Sequence, residues 1–526
     1  MPIDLPPLET LPPTPVASAE RHATDAPPRE LRIDGQRWRI IGMQRLNQAE
    51  RAAALADARD LPSAQAAILA AYRRAGWRNV AVTALQQADQ PTLWVIESRL
   101  VAVDTPPRLA PYFASFRGAA TIRHGAFAQA ARLAELHARR AGFAAYSIYA
   151  RDGDDPHRVS LEIQVEERRS TAFDYSWGLS NTGNRFLGRN FVGLGISHTN
   201  ADALRTGITL DSALPDPESD APDTRYWSLA PFVDKVFPFG VLRAYGSYED
   251  YRFSGSGRGR RPLPPVEPDE PPPASHGYSA VIGIIAEEPL LASPHYSLFA
   301  SQGLRWVEDK LEREGVDQPQ VDERFLILDL GGDLQWQFSA DPLIPDPRIT
   351  LGLRQSLNGL TQDLQADAGL GFTTLDYGFS AVSELPGRLR LSITLDGSQA
   401  LDALPQYEEW VLGGYDRLNA WLPGVAVGDR GLLSRLELAR HQPLPGELGL
   451  RLRIFAEYGQ AAFAERQASR ARLADAGIGL DLKLPGRWKF ELTAAEPLQS
   501  DAANPAALQR DEVDLFARIR HVWDSP

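Results

Sequence analysis

Residues 388–396 read Arg388-Leu389-Arg390-Leu391-Ser392-Ile393-Thr394-Leu395-Asp396. Every second residue is a branched apolar one, and those between are charged or hydroxylated. Successive side chains of an extended chain point to opposite faces, so this stretch is a strand with one apolar and one wet face. The pattern recurs beyond Thr171. Leu326, Leu328, Leu330 and Leu334 oppose Asp329, Asp333 and Gln335; Leu448, Leu450, Leu452 and Ile454 oppose Arg451, Arg453 and Glu457; Ile478, Leu480, Leu482 and Leu484 oppose Gly477, Gly479, Asp481 and Lys483. A soluble sandwich would alternate in the same way, so connection lengths must decide. Tight links at Phe237-Pro238-Phe239-Gly240, Leu385-Pro386-Gly387, Pro443-Leu444-Pro445-Gly446 and Leu484-Pro485-Gly486 are separated by long polar stretches at 254–275, 309–322, 396–429, 460–475 and 496–511. Short turns alternating with long loops, over about sixteen strands, describe a transmembrane barrel. The last strand, with Val513, Leu515, Ala517 and Ile519 before Trp523, alternates and closes on an aromatic residue. An even strand count returns both ends of the barrel to the side of the short turns.

Composition narrows the remaining chemistry. The 526 residues include no cysteine and nine histidines, which excludes disulfides, thiolate zinc sites and cysteine nucleophiles. A formal net charge of −13 argues against nucleic-acid binding, which needs a basic face. No run approaches the roughly 18 apolar residues of a membrane helix, a test that barrel strands are not required to pass. His124, His137, His198, His295, His441 and His521 fall at no metal-ligand spacing, and no G-x-S-x-G elbow or P-loop occurs. Gly193, Gly195, Gly477 and Gly479 read as small lumen-facing strand residues. No catalytic residue, metal or cofactor is expected. Arg258, Arg260 and Arg261 open a Pro-rich loop, expected to be exposed, for which lipopolysaccharide phosphate is a candidate contact.

The N-terminal part differs in character. Residues 1–30 are Pro-rich and polar, the composition of an extended linker, with no apolar leader core, so the chain reads as a mature or truncated form. Residues 31–167 alternate short strands with alanine-rich helices. Arg73-Arg74-Ala75-Gly76-Trp77 recurs, 66 positions on, as Arg139-Arg140-Ala141-Gly142-Phe143, each time closing a helix and opening a strand. Gly76 and Gly142 stand where a helix needs a left-handed stop. The expected division is a linker at 1–30, two small α+β units at 31–103 and 104–168, and an all-β barrel at 169–526. The first unit is read as a strand at 38–42, helices at 48–59 and 63–75, and strands at 78–85 and 92–98. The second is read as a helix at 126–141 and strands at 143–150 and 158–166.

Two such units before a sixteen-strand barrel resemble the outer-membrane transporters of two-partner secretion, the hemolysin secretion/activation family. The likeness has specific points. Ser180-Asn181-Thr182-Gly183-Asn184-Arg185 with Gly188-Arg189 resembles the family's D-N-x-G-x-x-x-x-G-R motif at the first hairpin. Leu412-Gly413-Gly414 through Gly428-Asp429-Arg430-Gly431 resembles its long loop that folds back into the lumen, and Phe455-Ala456-Glu457-Tyr458-Gly459 its F-x-D-x-G strand. The family loop carries V-R-G-Y, whose arginine pairs with lumenal acids; the matching positions here are Leu418-Asn419-Ala420-Trp421, without that arginine. Glu437 and Glu457 keep the acidic side of such a latch, and Arg417 stands near enough to replace the missing cation. Two readings stay open: a latch built from Arg417, Asn419, Trp421, Glu437 and Glu457, or a solvated lumenal charge network.

The resemblance implies POTRA units in the periplasm, a monomeric barrel in the outer membrane of a Gram-negative bacterium, and no enzymatic activity. The partner it implies is an exported protein, unfolded in transit, which lays a segment against the POTRA units by strand addition and then threads the lumen, occupied at rest by the long loop and part of the linker. The alternatives are an outer-membrane assembly or insertion factor working through the barrel seam and, from another class, a passive porin, which has no need of repeated soluble units.

Overall fold

The computed structural model describes residues 29–526 except 34, 57–58, 78, 86–90, 117–123, 152–154, 156, 168–172, 184–189, 215–223, 255–273, 293–295, 318, 337–344, 358–370, 416, 422, 465–469, 502–513 and 524–526. Nearly all of the linker and the loop bearing Arg258, Arg260 and Arg261 therefore lie outside the described residues.

The first unit is a four-stranded sheet of β1 (Arg29–Ile33), β2 (Gln36–Ile41), β3 (Val80–Leu85) and β4 (Thr92–Glu97), in the order β1-β2-β4-β3. Helices α1 (Gln48–Ala56) and α2 (Leu61–Arg74) cover one face. The shared core holds Ile33, Trp38, Ile40, Ile68, Tyr72, Val80, Val82, Leu93 and Val95. α2 begins where Asp60 and Ser63 exchange side-chain to backbone bonds, a capping box. It ends at Gly76, φ +83°, whose N–H bonds the Arg73 carbonyl while the Trp77 N–H bonds that of Tyr72. A residue with a Cβ would be strained there, so this helix stop falls on a glycine. Trp77 then lies under the Arg45 guanidinium at 5.5 Å.

The second unit repeats the device. Helix α3 (His124–Arg140) ends at Gly142, φ +87°, bonded to the Arg139 carbonyl at 3.2 Å. Phe143 opens β6 (Phe143–Arg151) and lies 5.8 Å from the Arg108 guanidinium. The sheet has the order β5-β7-β6, with β5 (Arg99–Asp104) parallel to β7 (Arg158–Glu167). Residues 99–103, expected in the first unit, thus belong to the second. Their backbone is paired with β7, and a strand follows its hydrogen bonds rather than its sequence neighbours.

Among the described residues sixteen antiparallel strands close into a barrel. They are β8 (Phe173–Ser180), β9 (Phe191–Thr199), β10 (Leu204–Ala213), β11 (Arg225–Phe237), β12 (Gly240–Ser254), β13 (Ala274–Ala292), β14 (Tyr296–Arg313), β15 (Val321–Trp336), β16 (Asp346–Ser356), β17 (Thr373–Leu385), β18 (Leu389–Ala400), β21 (Arg430–Pro443), β22 (Gly449–Ala462), β23 (Ala471–Leu484), β24 (Trp488–Asp501) and β25 (Asp514–Trp523). Between β18 and β21, β19 (Trp410–Leu412) and β20 (Ala426–Gly428) make a small hairpin. Because β18 runs to Ala400, the long loop begins at 401, not 396. The opening stretch behaves as its alternation requires: Leu391 and Ile393 stand beside Leu438 and Leu436 on the outer face, while Ser392 and Thr394 stand beside Glu437 and Arg435 on the inner one. Outside, Ile282, Ile478 and Leu351 are 70, 62 and 56% exposed. Apolar surface left in water costs about 25 cal/mol per Å², so a belt of this kind is stable only against lipid.

The second unit docks on the short-turn end of the barrel. Tyr112 Oη donates to the Val236 carbonyl at 3.1 Å and meets His137 Nδ1 at 2.9 Å; Arg140 pairs with Asp234; and Arg132 lies 4.7 Å over Phe299. Ala203 and Val236 share the unit's buried core.

Candidate functional site: a loop pinned inside the barrel

Period two turns Arg451, Arg453, Phe455, Glu457 and Gly459 of β22 to the lumen, opposite Arg435 and Glu437 of β21 and Asp475 and Asp481 of β23. Arg435 donates to Glu457 Oε1 at 3.0 Å and to Glu437 Oε2 at 2.7 Å, and Arg451 bridges Glu437 and Asp481. Onto this wall comes the loop. Leu418 holds φ +74°, a conformation that costs a non-glycine residue about 1–2 kcal/mol. The bend aims two consecutive amides outward: Asn419 N and Nδ2 donate to Glu457 Oε2 at 2.9 and 2.7 Å, and Ala420 N donates to Asp475 Oδ2 at 2.7 Å. Amide donors on a carboxylate are charge-assisted bonds, stronger than neutral ones. Apolar packing closes the contact. Leu412, Leu418 and Trp421 are buried with Leu433, Phe455 and Leu473, and Gly459 leaves the room that the Leu418 side chain fills.

A second anchor lies on the other flank of the loop. Glu408 meets Arg305 of β14 through two bonds, 2.7 and 3.1 Å, and also meets Arg354 of β16. Each arginine is held in turn, Arg305 by Asp329 at 2.9 Å and Arg354 by Asp376 at 2.6 and 2.8 Å. Gln406 N donates to Glu323 at 3.1 and 3.2 Å. Asp429 ties the base of the loop, accepting from Leu404 N at 2.9 Å and Ala464 N at 2.8 Å. The two anchors differ in polarity: loop amides on wall acids at β22 and β23, and on the other flank a loop acid on wall arginines at β14 and β16 beside one loop amide on Glu323 of β15. Their effect is to stretch 401–429 across the lumen.

Of the residues expected here, Asn419, Trp421, Glu437 and Glu457 are brought together. Arg417 is not. Its guanidinium lies 5.5 Å over the Trp410 ring and bonds the Val411 carbonyl at 3.4 Å. The reason is the Leu418 bend, which directs residues 417 and 419 to different sides. The cation comes instead from the wall, as Arg435, so Glu437 and Glu457 are not short of countercharge. At the first hairpin, Asn181 acts like a peptide group beyond the end of β8: Oδ1 accepts from Ala517 N at 2.6 Å and Nδ2 donates to the Leu515 carbonyl at 2.8 Å. Gly183 follows it in the described turn, and Gly188 and Arg189 lie outside the described residues. Sequence reasoning missed Arg435, Asp475, Glu408, Arg305 and Arg354. Arg435 shares the parity of Glu437 and was findable. Glu408 has no periodic neighbour to betray its orientation.

No family model matches the chain, and no curated protein sequence does. Its fold is nonetheless that of known structures. CdiB from Escherichia coli superposes with a TM-score of 0.74 at 16% identity, covering 98% of this chain and 94% of that one. CdiB from Acinetobacter baumannii gives 0.67 at 12% identity, covering 95% and 91%.

Proposed function

We propose that this chain is an outer-membrane transporter of the two-partner secretion type, which receives an unfolded exported protein at its two N-terminal units and passes it through the barrel to the cell surface. One observation carries the reading: a loop pinned across the lumen of a lipid-facing barrel whose short-turn mouth holds a docked soluble unit. A diffusion pore has no need of the docked soluble unit. The fold shared with CdiB is compatible with the same reading, and the residues at 455–459 that receive the loop support it. In this mechanism the N-terminal units are POTRA domains in the periplasm. A segment of the exported protein adds to a sheet edge there, the loop leaves the lumen, and folding outside draws the chain through without a nucleotide. Glu457 and Asp475 hold Asn419 and Ala420 at rest, and Glu408 holds the other flank.

The alternative, an assembly factor working through the seam, has one observation in its favour. Among the described residues β25 and β8 share six residue pairs, fewer than any other neighbouring strands in the barrel. Deleting the gene separates the two. A transporter's loss removes one protein from the culture medium and leaves the outer-membrane profile intact; broad depletion of outer-membrane proteins would instead overturn the transporter reading.

A further inference from the structure

The lumen wall is charge-balanced along β14–β17 and β21–β23. Arg305, Arg348, Arg354, Arg435, Arg451 and Arg453 each pair with a carboxylate of the same or a neighbouring strand. One sector breaks the rule. Lys483 of β23 stands directly opposite Lys489 of β24, which stands directly opposite Arg520 of β25. All three share the inward parity of Asp481, Glu491 and Phe516, so three cations lie side by side in one row at the short-turn mouth. The row continues into Gly178 and Gly193, which present no side chain. Like charges directly opposite on neighbouring strands are destabilising. Among the described residues none of the three has a carboxylate at ion-pair distance, and Arg520 Nε is buried without a partner. The nearest acids one step along the strands are engaged elsewhere, Asp481 with Arg451 and Arg453 and Glu491 with Tyr415.

A second arc faces the same mouth. Arg205 of β10 and Arg243 of β12 flank Phe232 at 5.1 and 5.0 Å. Asp234, which stands between them in register, is taken by Arg140 of the docked unit. Between the two arcs the inward acids are Asp174 and Asp211, against five cations. A cleft lined by one sign of charge concentrates the opposite sign and raises its association rate. In a chain of net charge −13, such a rim runs against the overall balance.

We propose that this rim, Lys483, Lys489 and Arg520 with Arg205 and Arg243, is where an acidic, extended segment of the polypeptide in transit docks as it passes into the lumen. The proposal rests on the transporter reading and adds the substrate's chemistry to it: carboxylates in extended chain, spaced to meet cations on adjacent strands. The retained repulsion of the row is the cost that a passing anion relieves.

The test uses the full chain in a non-ionic detergent and fluorescein-labelled 20-residue peptides, one Glu/Ser-rich and one Lys/Ser-rich, read by anisotropy at low and high salt. The acidic peptide is expected to bind, to weaken with salt, and to lose at least tenfold in affinity in Lys483→Gln/Lys489→Gln/Arg520→Gln. That variant removes repulsion and should keep the heat-dependent gel mobility of a folded barrel. Equal binding of the basic peptide, or unchanged affinity in the triple variant, overturns the rim. Secretion is then scored separately. Weakened peptide binding with undiminished export overturns a role in transit, while failure of the wild type to export any protein tells against the transporter reading and leaves the peptide result standing on its own.

Discussion

Replacing Glu408 with alanine removes the charged anchor on the β14 and β16 side and tests whether the loop is held at two points. The Glu408 side chain is 3% exposed and its partners Arg305 and Arg354 are 14 and 21% exposed, so these bonds are only partly screened. Stranding a buried charge costs about 3–5 kcal/mol. That figure does not apply here, because Arg305 keeps Asp329 and Arg354 keeps Asp376 when Glu408 is gone. What is lost is a charged hydrogen-bonded contact, about 1.5–3 kcal/mol. At 1.4 kcal/mol per factor of ten, the fraction of molecules with a detached loop should rise about 10- to 150-fold. Single-channel recording in planar bilayers should show correspondingly more frequent large openings, and protease should cut within 401–429 faster by a similar factor. Glu408→Gln, which keeps the shape and neutral bonds, should fall between. Arg305→Gln on top of Glu408→Ala should add little, because residues of one network are not additive. Openings and cleavage unchanged from wild type in Glu408→Ala would refute the second anchor and leave Asn419 and Trp421 holding the loop alone.

Arg417→Ala should leave conductance unchanged, since its guanidinium rests on Trp410 and touches no wall acid; a strong effect would contradict the placement of that side chain. Trp421→Ala empties a buried site and should cost about 3–5 kcal/mol of loop docking, seen as persistent opening. Asn181→Ala should destabilise the β25–β8 closure, measured as a lower temperature at which the heat-dependent gel shift is lost. Docking of the second unit should depend on pH. Burial holds the His137 pKa below the ordinary histidine value, against the pull of Asp202, so the unfolded state takes up the proton first. The contribution is therefore present above about pH 6.5 and lost as pH falls through the depressed folded value. Hydrogen-exchange protection across 124–140, taken relative to the intrinsic rate at each pH, should be lower at pH 5 than at pH 7.5 in the wild type, and the difference should shrink in His137→Gln.

The barrel was legible because its cause is local. A residue at 391 or 393 faces lipid by virtue of its parity, and Pro/Gly links such as 385–387 set where strands reverse, so period and punctuation alone determined an all-β membrane fold and which side chains turn inward. The helix stops at Gly76 and Gly142 were legible for the same reason, since a left-handed residue is a property of the chain at one position. What only the tertiary structure decided is which inward residues meet. β5 joined the second sheet because its residues pair with those of β7, 58 or 59 positions away. Arg417 lost its expected place to Arg435 because one bend at Leu418 redirected the loop, and Glu408 found Arg305, 103 residues away, because barrel closure and a folded-back loop brought them together. Parity tells a side chain which face it occupies; its partner depends on how the rest of the chain closes around that face.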